Sequence, residues 1–293
     1  MQEKINNVLG TDEEDEYFHK SVRNWRDALQ LKSTNNVLVA FACAHDDEVK
    51  NTEMYPEFLA ADVTFGVNRE RRDLLLVAGI DGRHRIFTSF RCFIPSKQEQ
   101  TYTWIFKVAM PHLLSKQALK YNLCISTDNE DGLNNAINSS ILSSNESFKF
   151  SKLRLDCYHF HTKTWRKNII ATCKDTLNAK LALEIMNSWI MTWFKRIETK
   201  EELEVSLKHL MSYFNSKTKC IGDTCTDAVN KHVCHIITHQ DKLLHPYWKD
   251  VCTFDFIGDS IVESANNPIK HSALGVSSAM DISTSGHTQV KAT

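Results

Sequence analysis

No run in the 293 residues approaches the ~18 consecutive apolar positions that a membrane-spanning helix requires. The first ten residues, MQEKINNVLG, lack the apolar core of a secretory signal. An excess of either charge is missing too. Lys and Arg total 35 against 36 Asp and Glu, a formal net charge of −1. A nucleic-acid partner must therefore be met by local basic patches and not by the field of the whole chain. No clear basic localisation cluster and no internal repeat is visible. What is present is a core: 42% hydrophobic and 10% aromatic residues exclude a disordered polymer. The nine cysteines are odd in number and scattered through apolar segments, so reduced thiols in a cytosolic or nuclear protein are expected.

The apolar runs predict the element order. Residues 1–34 form a polar arm with an acidic run, Asp12 to Glu16, and a helix around Ser21–Leu31. Asn36–Cys43 is a strand, with His45, Asp46, Asp47 and Glu48 in the loop after it. Phe58–Val63 and Leu74–Ile80 are strands, and Asp81-Gly82 turns the second into Arg85–Ile94. Helical spacing follows over Gln98–Leu119, with Pro111 as a kink. Then come a strand Asn122–Thr127, a helix Gly132–Leu142, a strand Lys152–Cys157 and a helix His161–Thr176. From about Lys174 to Lys249 the periodicity is helical throughout. Its best helices are Leu181–Phe194 and Glu201–Phe214, with Trp189, Trp193, Leu207 and Phe214 on their apolar stripes. The class is α/β, a mixed sheet with flanking helices interrupted by an all-helical stretch.

Three acids stand out. Asp62 closes the apolar run from Phe58, Asp128 closes Asn122–Thr127, and Glu263 lies in the helical IVESANNPIK. Carboxylates at neighbouring strand ends can converge on two divalent ions that activate a water or a 3′-hydroxyl toward a phosphodiester. The alternative roles are structural: Asp62 as a turn residue, Asp128 as a helix N-cap, Glu263 as a first-turn acid on the helix dipole.

The motifs DVTFGVN, TDNEDGLNNAI, DCYHFHTKTW and VESANNPIK, in that order, resemble the transposases of Mutator-like elements (the MULE domain), from about Asn36 to about Ile282. The resemblance implies an RNase H-like fold with an all-helical insertion before the third acidic residue. The division it implies is an arm with a helix (1–34), a core holding the first two acids (35–173), the insertion (174–250), the last core helix with the third acid (251–272) and a flexible tail (273–293). It further implies that Asp62, Asp128 and Glu263 are catalytic and hold two Mg²⁺ or Mn²⁺ ions, with zinc unexpected. His159 matches the family histidine better than His161 and would position DNA or the attacking water. Lys163, Arg166 and Lys167, with Asn266, would contact DNA, a solvated helix face being the alternative for the basic residues. Trp165 and Trp193 read first as core residues, with stacking on a displaced base as their alternative role. Six further sulfur and imidazole groups, Cys220, Cys225, His232, Cys234, His235 and His239, match no zinc-finger spacing. The implied activity is nuclear: metal-dependent cleavage at transposon ends and strand transfer into target DNA. Terminal inverted repeats and target DNA are the partners, with self-association as a further one and no membrane. Residues 1–34 contain no cysteine for the zinc-bearing DNA-binding module that generally precedes this domain. A domesticated derivative that binds DNA or protein without cutting is the alternative expectation.

Overall fold

A computed structural model of the chain describes residues 7–8, 25–32, 38–65, 72–142, 147–157, 159–161, 166–172 and 176–251, with single positions 253, 262, 264 and 265. The chain divides into two compact units, Met1–Leu153 with Asp259–Thr293, and Arg154–Gly258.

The first unit is built on a mixed sheet. Its strands are β1 (Asn7–Val8), β2 (Trp25–Lys32), β3 (Leu38–His45), β4 (Phe58–Thr64), β5 (Asp73–Ile80), β6 (Ile86–Ile94), β7 (Cys124–Thr127) and β8 (Lys152–Leu155), on which the unit ends. Their order is β1-β2-β3-β6-β5-β4-β7-β8. β4, β5 and β6 are successive antiparallel neighbours, with Ala61 opposite Val77 and Val77 opposite Phe90. β7 lies on the other side of β4 and runs parallel to it. Three antiparallel strands continued by a parallel one give the α/β fold an RNase H-like sheet. β4 and β5 are buried on both faces, which is why they read as nearly continuous apolar runs instead of alternating ones.

Helices α1 (Asp46–Met54), α2 (Glu99–Trp104), α3 (Met110–Leu113), α4 (Lys116–Lys120) and α5 (Asp131–Leu142) belong to the same unit. Its core joins Leu59, Ala61 and Val63 of β4 and Leu75 and Val77 of β5 to Tyr102, Ile105, Phe106 and Met110. Between α2 and α3 the chain widens into a π-turn over Ile105–Ala109, with the Met110 N–H bonded back to the Ile105 carbonyl. Pro111, with no N–H to give the preceding turn, follows at once, so the expected kink takes the form of a widened turn.

Two local expectations are corrected. The helix around Ser21–Leu31 is replaced at Trp25–Lys32 by β2, which pairs with β3. Leu29 and Leu31 alternate with Gln30 and Lys32, a period-two signal, and joining a sheet satisfies the strand's backbone groups. His45–Glu48 is not a loop but the start of α1. The His45 side chain accepts from the Asp47 N–H at 3.2 Å, and the His45 N–H donates to Glu48 Oε2 at 2.8 Å, a capping box. Glu48 is then buried against Arg91 of β6, with Nη1 2.6 Å from Oε1. The Asp81-Gly82 hairpin forms as expected. Asp81 Oδ1 accepts from the Arg83 and Arg85 N–H groups, and His84 takes the left-handed conformation at φ 60°.

The second unit is helical beyond the end of β8. It contains α6 (Arg166–Thr172), α7 (Thr176–Lys195), α8 (Lys200–Ile221), α9 (Asp223–Thr238) and α10 (Gln240–Leu243). Ala179, Ala182, Met186, Ile190 and Trp193 form the buried stripe of α7, and Leu203, Leu210 and Phe214 that of α8. This core reaches back to Cys157, Phe160 and Ile169, so the unit starts at Arg154, upstream of the Lys174 at which periodicity alone changes.

Candidate metal centre

In the first unit, Asp62 is the one position of β4 that is not buried, while Ala61 and Val63 on either side are sealed in the core. It lies within the strand, two residues short of its end. The Val63 N–H donates to Asp62 Oδ1 at 2.7 Å. Along the parallel ladder Phe58 stands beside Cys124 and Ala61 beside Thr127. One residue further, Asp62 and Asp128 hold matching positions on strands whose backbones are spaced about 4.8 Å apart. The strand that delivers Asp128 is buried along its whole length, and Asp128 itself is half-buried.

The turn after Asp128 is held from several sides. The Glu130 N–H donates to the Asp128 carbonyl at 2.8 Å, and the Asn134 N–H donates to the Glu130 carbonyl at 2.9 Å. Thr127 Oγ1 donates to Asn134 Oδ1 at 2.6 Å. The Glu130 side chain accepts from Tyr102 Oη at 2.6 Å and from Lys97 Nζ at 2.7 Å. Gly132 is required at the start of α5, because a Cβ there would stand 2.9 Å from the Lys97 carbonyl oxygen. Burial, the bond to Glu130, and the charges of Glu130, Asp73 and Asp62 together push the Tyr102 hydroxyl far above the ordinary tyrosine range. Partial burial also raises the Asp73 carboxyl. Lys97 opposes that rise and Glu130 adds to it. This sheet edge therefore concentrates negative charge and holds the Lys97 ammonium in place.

In the second unit, Asp156 follows directly on β8 and is buried. Its Oδ1 accepts from the His159 N–H at 2.9 Å, and its Oδ2 lies 2.7 Å from His159 Nδ1. A carboxylate can only accept, so Nδ1 carries a proton and the bond to Asp156 fixes the orientation of the ring. The two other members of the Cys/His stretch are packing groups. Cys157 donates its S–H to the Leu243 carbonyl at 3.2 Å, and burial pushes its thiol up to about 11. His161 is fully buried between His232, with Nδ1 to Nε2 at 3.2 Å, and Asn187 Oδ1, 2.6 Å from its Nε2. Asn187 Oδ1 can only accept, so His161 donates from Nε2 and receives the His232 proton at Nδ1.

Of the expected site residues, Asp62 and Asp128 are brought to matching positions, and His159 is held by an acid. Glu263, Lys163 and Asn266 lie outside the described residues, although Val262, Ser264 and Ala265 around Glu263 are helical. Arg166 and Lys167 open α6, and their side chains lie outside the described part. Asp156 was not among the expected residues. Its signal was present in the sequence, since like Asp128 it is an acid directly after an apolar strand, and it stands three residues before a histidine. The acidic and imidazole groups among these residues are of the kind that could hold a divalent metal ion. In the Cys220–His239 set, Cys225 is disulfide-bonded and His232 is buried against His161, so neither is available to an ion. The disulfide corrects the expectation of uniformly reduced thiols. Cys43, Cys92, Cys124, Cys157 and Cys234 form no disulfide.

The strand order is that of an α/β RNase H-like fold. Residues 58–153, about a third of the chain, match the family model of the MULE transposase domain. The match supports a Mutator-like element transposase domain within residues 58–153 and a transposase-related function. The match spans β4 to the start of β8 and contains Asp62 and Asp128; Glu263 lies beyond it. A comparison with curated proteins finds no match. Among the described residues no helix is long and apolar enough to cross a membrane.

Proposed function

We propose that this chain is a transposase catalytic domain that cuts DNA at transposon ends and joins the freed 3′-hydroxyl to target DNA. The observation that carries the reading is the β4–β7 register, which sets Asp62 and Asp128 side by side at the edge of the sheet. Asp62 and Asp128, with Glu263 as the third acid, offer the hard oxygen donors that Mg²⁺ and Mn²⁺ take. Bound there, two such ions would lower the pKa of the attacking water or 3′-hydroxyl and stabilise the oxygen leaving phosphorus.

The chain's own contribution is positional. Burial of β4 and β7 fixes where the two carboxylates emerge, and the Glu130 network holds the turn that follows Asp128. The Asp156–His159 bond fixes the imidazole ring in one orientation, suited to positioning DNA or a water. Transposon-end DNA and target DNA are the proposed partners.

The test is Mn²⁺-dependent nicking and strand transfer on terminal-repeat DNA by the purified chain and by Asp128→Asn, with Mn²⁺ affinity measured by calorimetry in both. The expected result is activity and metal binding in the parent, and loss of both in the variant. Unchanged Mn²⁺ affinity in Asp128→Asn would refute the assignment. A parent that binds DNA but neither Mn²⁺ nor Mg²⁺ would favour the domesticated, non-cutting role.

A further inference from the structure

For Trp165 and Trp193 the sequence favours a core role, with stacking on a displaced base as the alternative. Trp193 is fully buried in the helical core, with its indole N–H donating to Ser206 Oγ at 2.6 Å, so no base reaches it. Trp165 lies outside the described residues. A different aromatic stands at the carboxylate edge. Phe65 is the first residue past β4, three residues after Asp62, and 60% of it is exposed. Lys97 Nζ sits 4.6 Å from the centre of its ring.

We propose that Phe65 and Lys97 form a subsite that stacks one unpaired DNA base and holds the adjoining phosphate beside the Asp62–Asp128 edge. The proposal rests on the transposase reading and names the DNA feature which that site would grip. Three observations support it. First, the ammonium is already in place. Its bond to Glu130, itself held by Tyr102, keeps Lys97 at the ring with its side chain only 33% exposed. Little side-chain entropy is then left to lose on binding. Second, an ammonium has three donors, and the Glu130 bond takes one, leaving hydrogen-bonding capacity for a phosphate oxygen. Third, an exposed ring beside a fixed cation matches a nucleotide, whose base offers a π-face and whose backbone offers an anion. Asp62, Asp73 and Glu130 add negative charge nearby, so a phosphate approaches favourably only when divalent cations are present. The chemistry therefore fits a cation-dependent, unpaired nucleotide and not a blunt duplex.

The experiment uses the full chain, in Ca²⁺ to support binding without turnover. Fluorescence anisotropy compares a blunt duplex with the same duplex carrying a short 3′ single-stranded overhang. A 2-aminopurine in the overhang reports stacking by its quenching. The parent is expected to prefer the overhang and to quench the probe. Phe65→Leu, which keeps apolar bulk at an exposed position, should lose about tenfold in affinity for the overhang, little for the blunt duplex, and the quenching. Phe65→Trp should keep all three properties. Lys97→Gln should lower the salt dependence of binding by about one phosphate contact. Overhang affinity and quenching unchanged in Phe65→Leu would overturn the subsite while leaving the transposase reading intact. A parent that binds neither DNA would overturn both.

Discussion

Glu48 and Arg91 offer the sharpest test of how the first unit is held together. Their side chains are 8% and 5% exposed, and one guanidinium nitrogen lies 2.6 Å from one carboxylate oxygen. Glu48 also accepts from the His45 N–H, so this one residue both caps α1 and ties it to β6. Burial raises the Glu48 carboxyl pKa and Arg91 pulls it back down. Neither charge is tolerable here without the other. Arg91→Met should cost about 3–5 kcal/mol, because it leaves a buried carboxylate without its main partner. That is a large part of the ~5–15 kcal/mol by which domains are stable. At an m-value of roughly 2 kcal/mol/M the urea midpoint would fall by about 2 M. The variant should be less impaired in mildly acidic than in alkaline buffer. Its Glu48, with a folded pKa above the unfolded one, gains stability from protonation that is lost as pH rises through the folded value. Glu48→Leu should be similarly costly, whereas the double variant Glu48→Leu/Arg91→Met should recover most of the loss. A chain of two units need not unfold in one step, so hydrogen exchange of the β5 and β6 amides should be followed beside the urea curve. Single variants within about 1 kcal/mol of the parent, or a double variant as weak as the two losses added together, would refute the reasoning.

Two further outcomes are expected. Tyr102→Phe removes the hydroxyl that donates at 2.6 Å to Glu130 and should cost about 1.5–3 kcal/mol in thermal or urea unfolding, with no change if Glu130 simply turns to water. The buried His161 and His232 have pKa values pushed down by burial to about 4 and about 2 from the ordinary 6.5. Above pH 6.5 neither state is protonated and stability is level; as pH falls from 6.5 toward 4 the unfolded chain takes up protons that the folded one refuses, so far-UV circular dichroism should record progressive loss of the helical unit's stability. A flat profile across that range would count against neutral, buried imidazoles.

Why some of this was legible in the sequence and some was not follows from where each signal is stored. Central strands buried on both faces, such as β4, β5 and β7, announce themselves as apolar runs, and an acid just inside or beyond such a run is visible by inspection. β2 was missed because WRDALQLK mixes long polar side chains with good helix formers, and pairing with β3 decided the outcome against local preference. The Glu48–Arg91 and Tyr102–Glu130–Lys97 contacts leave no periodic trace, since each joins elements whose adjacency exists only once the sheet order is set.

Cys157, His159 and His161 show the limit most clearly. Two histidines two residues apart carry equal chemical promise in the sequence, yet Asp156 holds one while His232 and Asn187 bury the other. Residue type supplied the candidates, and the neighbours assigned the roles. The assignment could have been narrowed by treating Asp156 as Asp62 and Asp128 were treated, because Asp128 and Asp156 each follow an apolar strand directly and Asp62 lies near the end of one. An acid near the C-terminal end of each of β4, β7 and β8 is hard to attribute to turn formation alone. Turns tolerate Asn, Ser or Gly as readily as Asp, whereas a site that gathers divalent cations requires the charge.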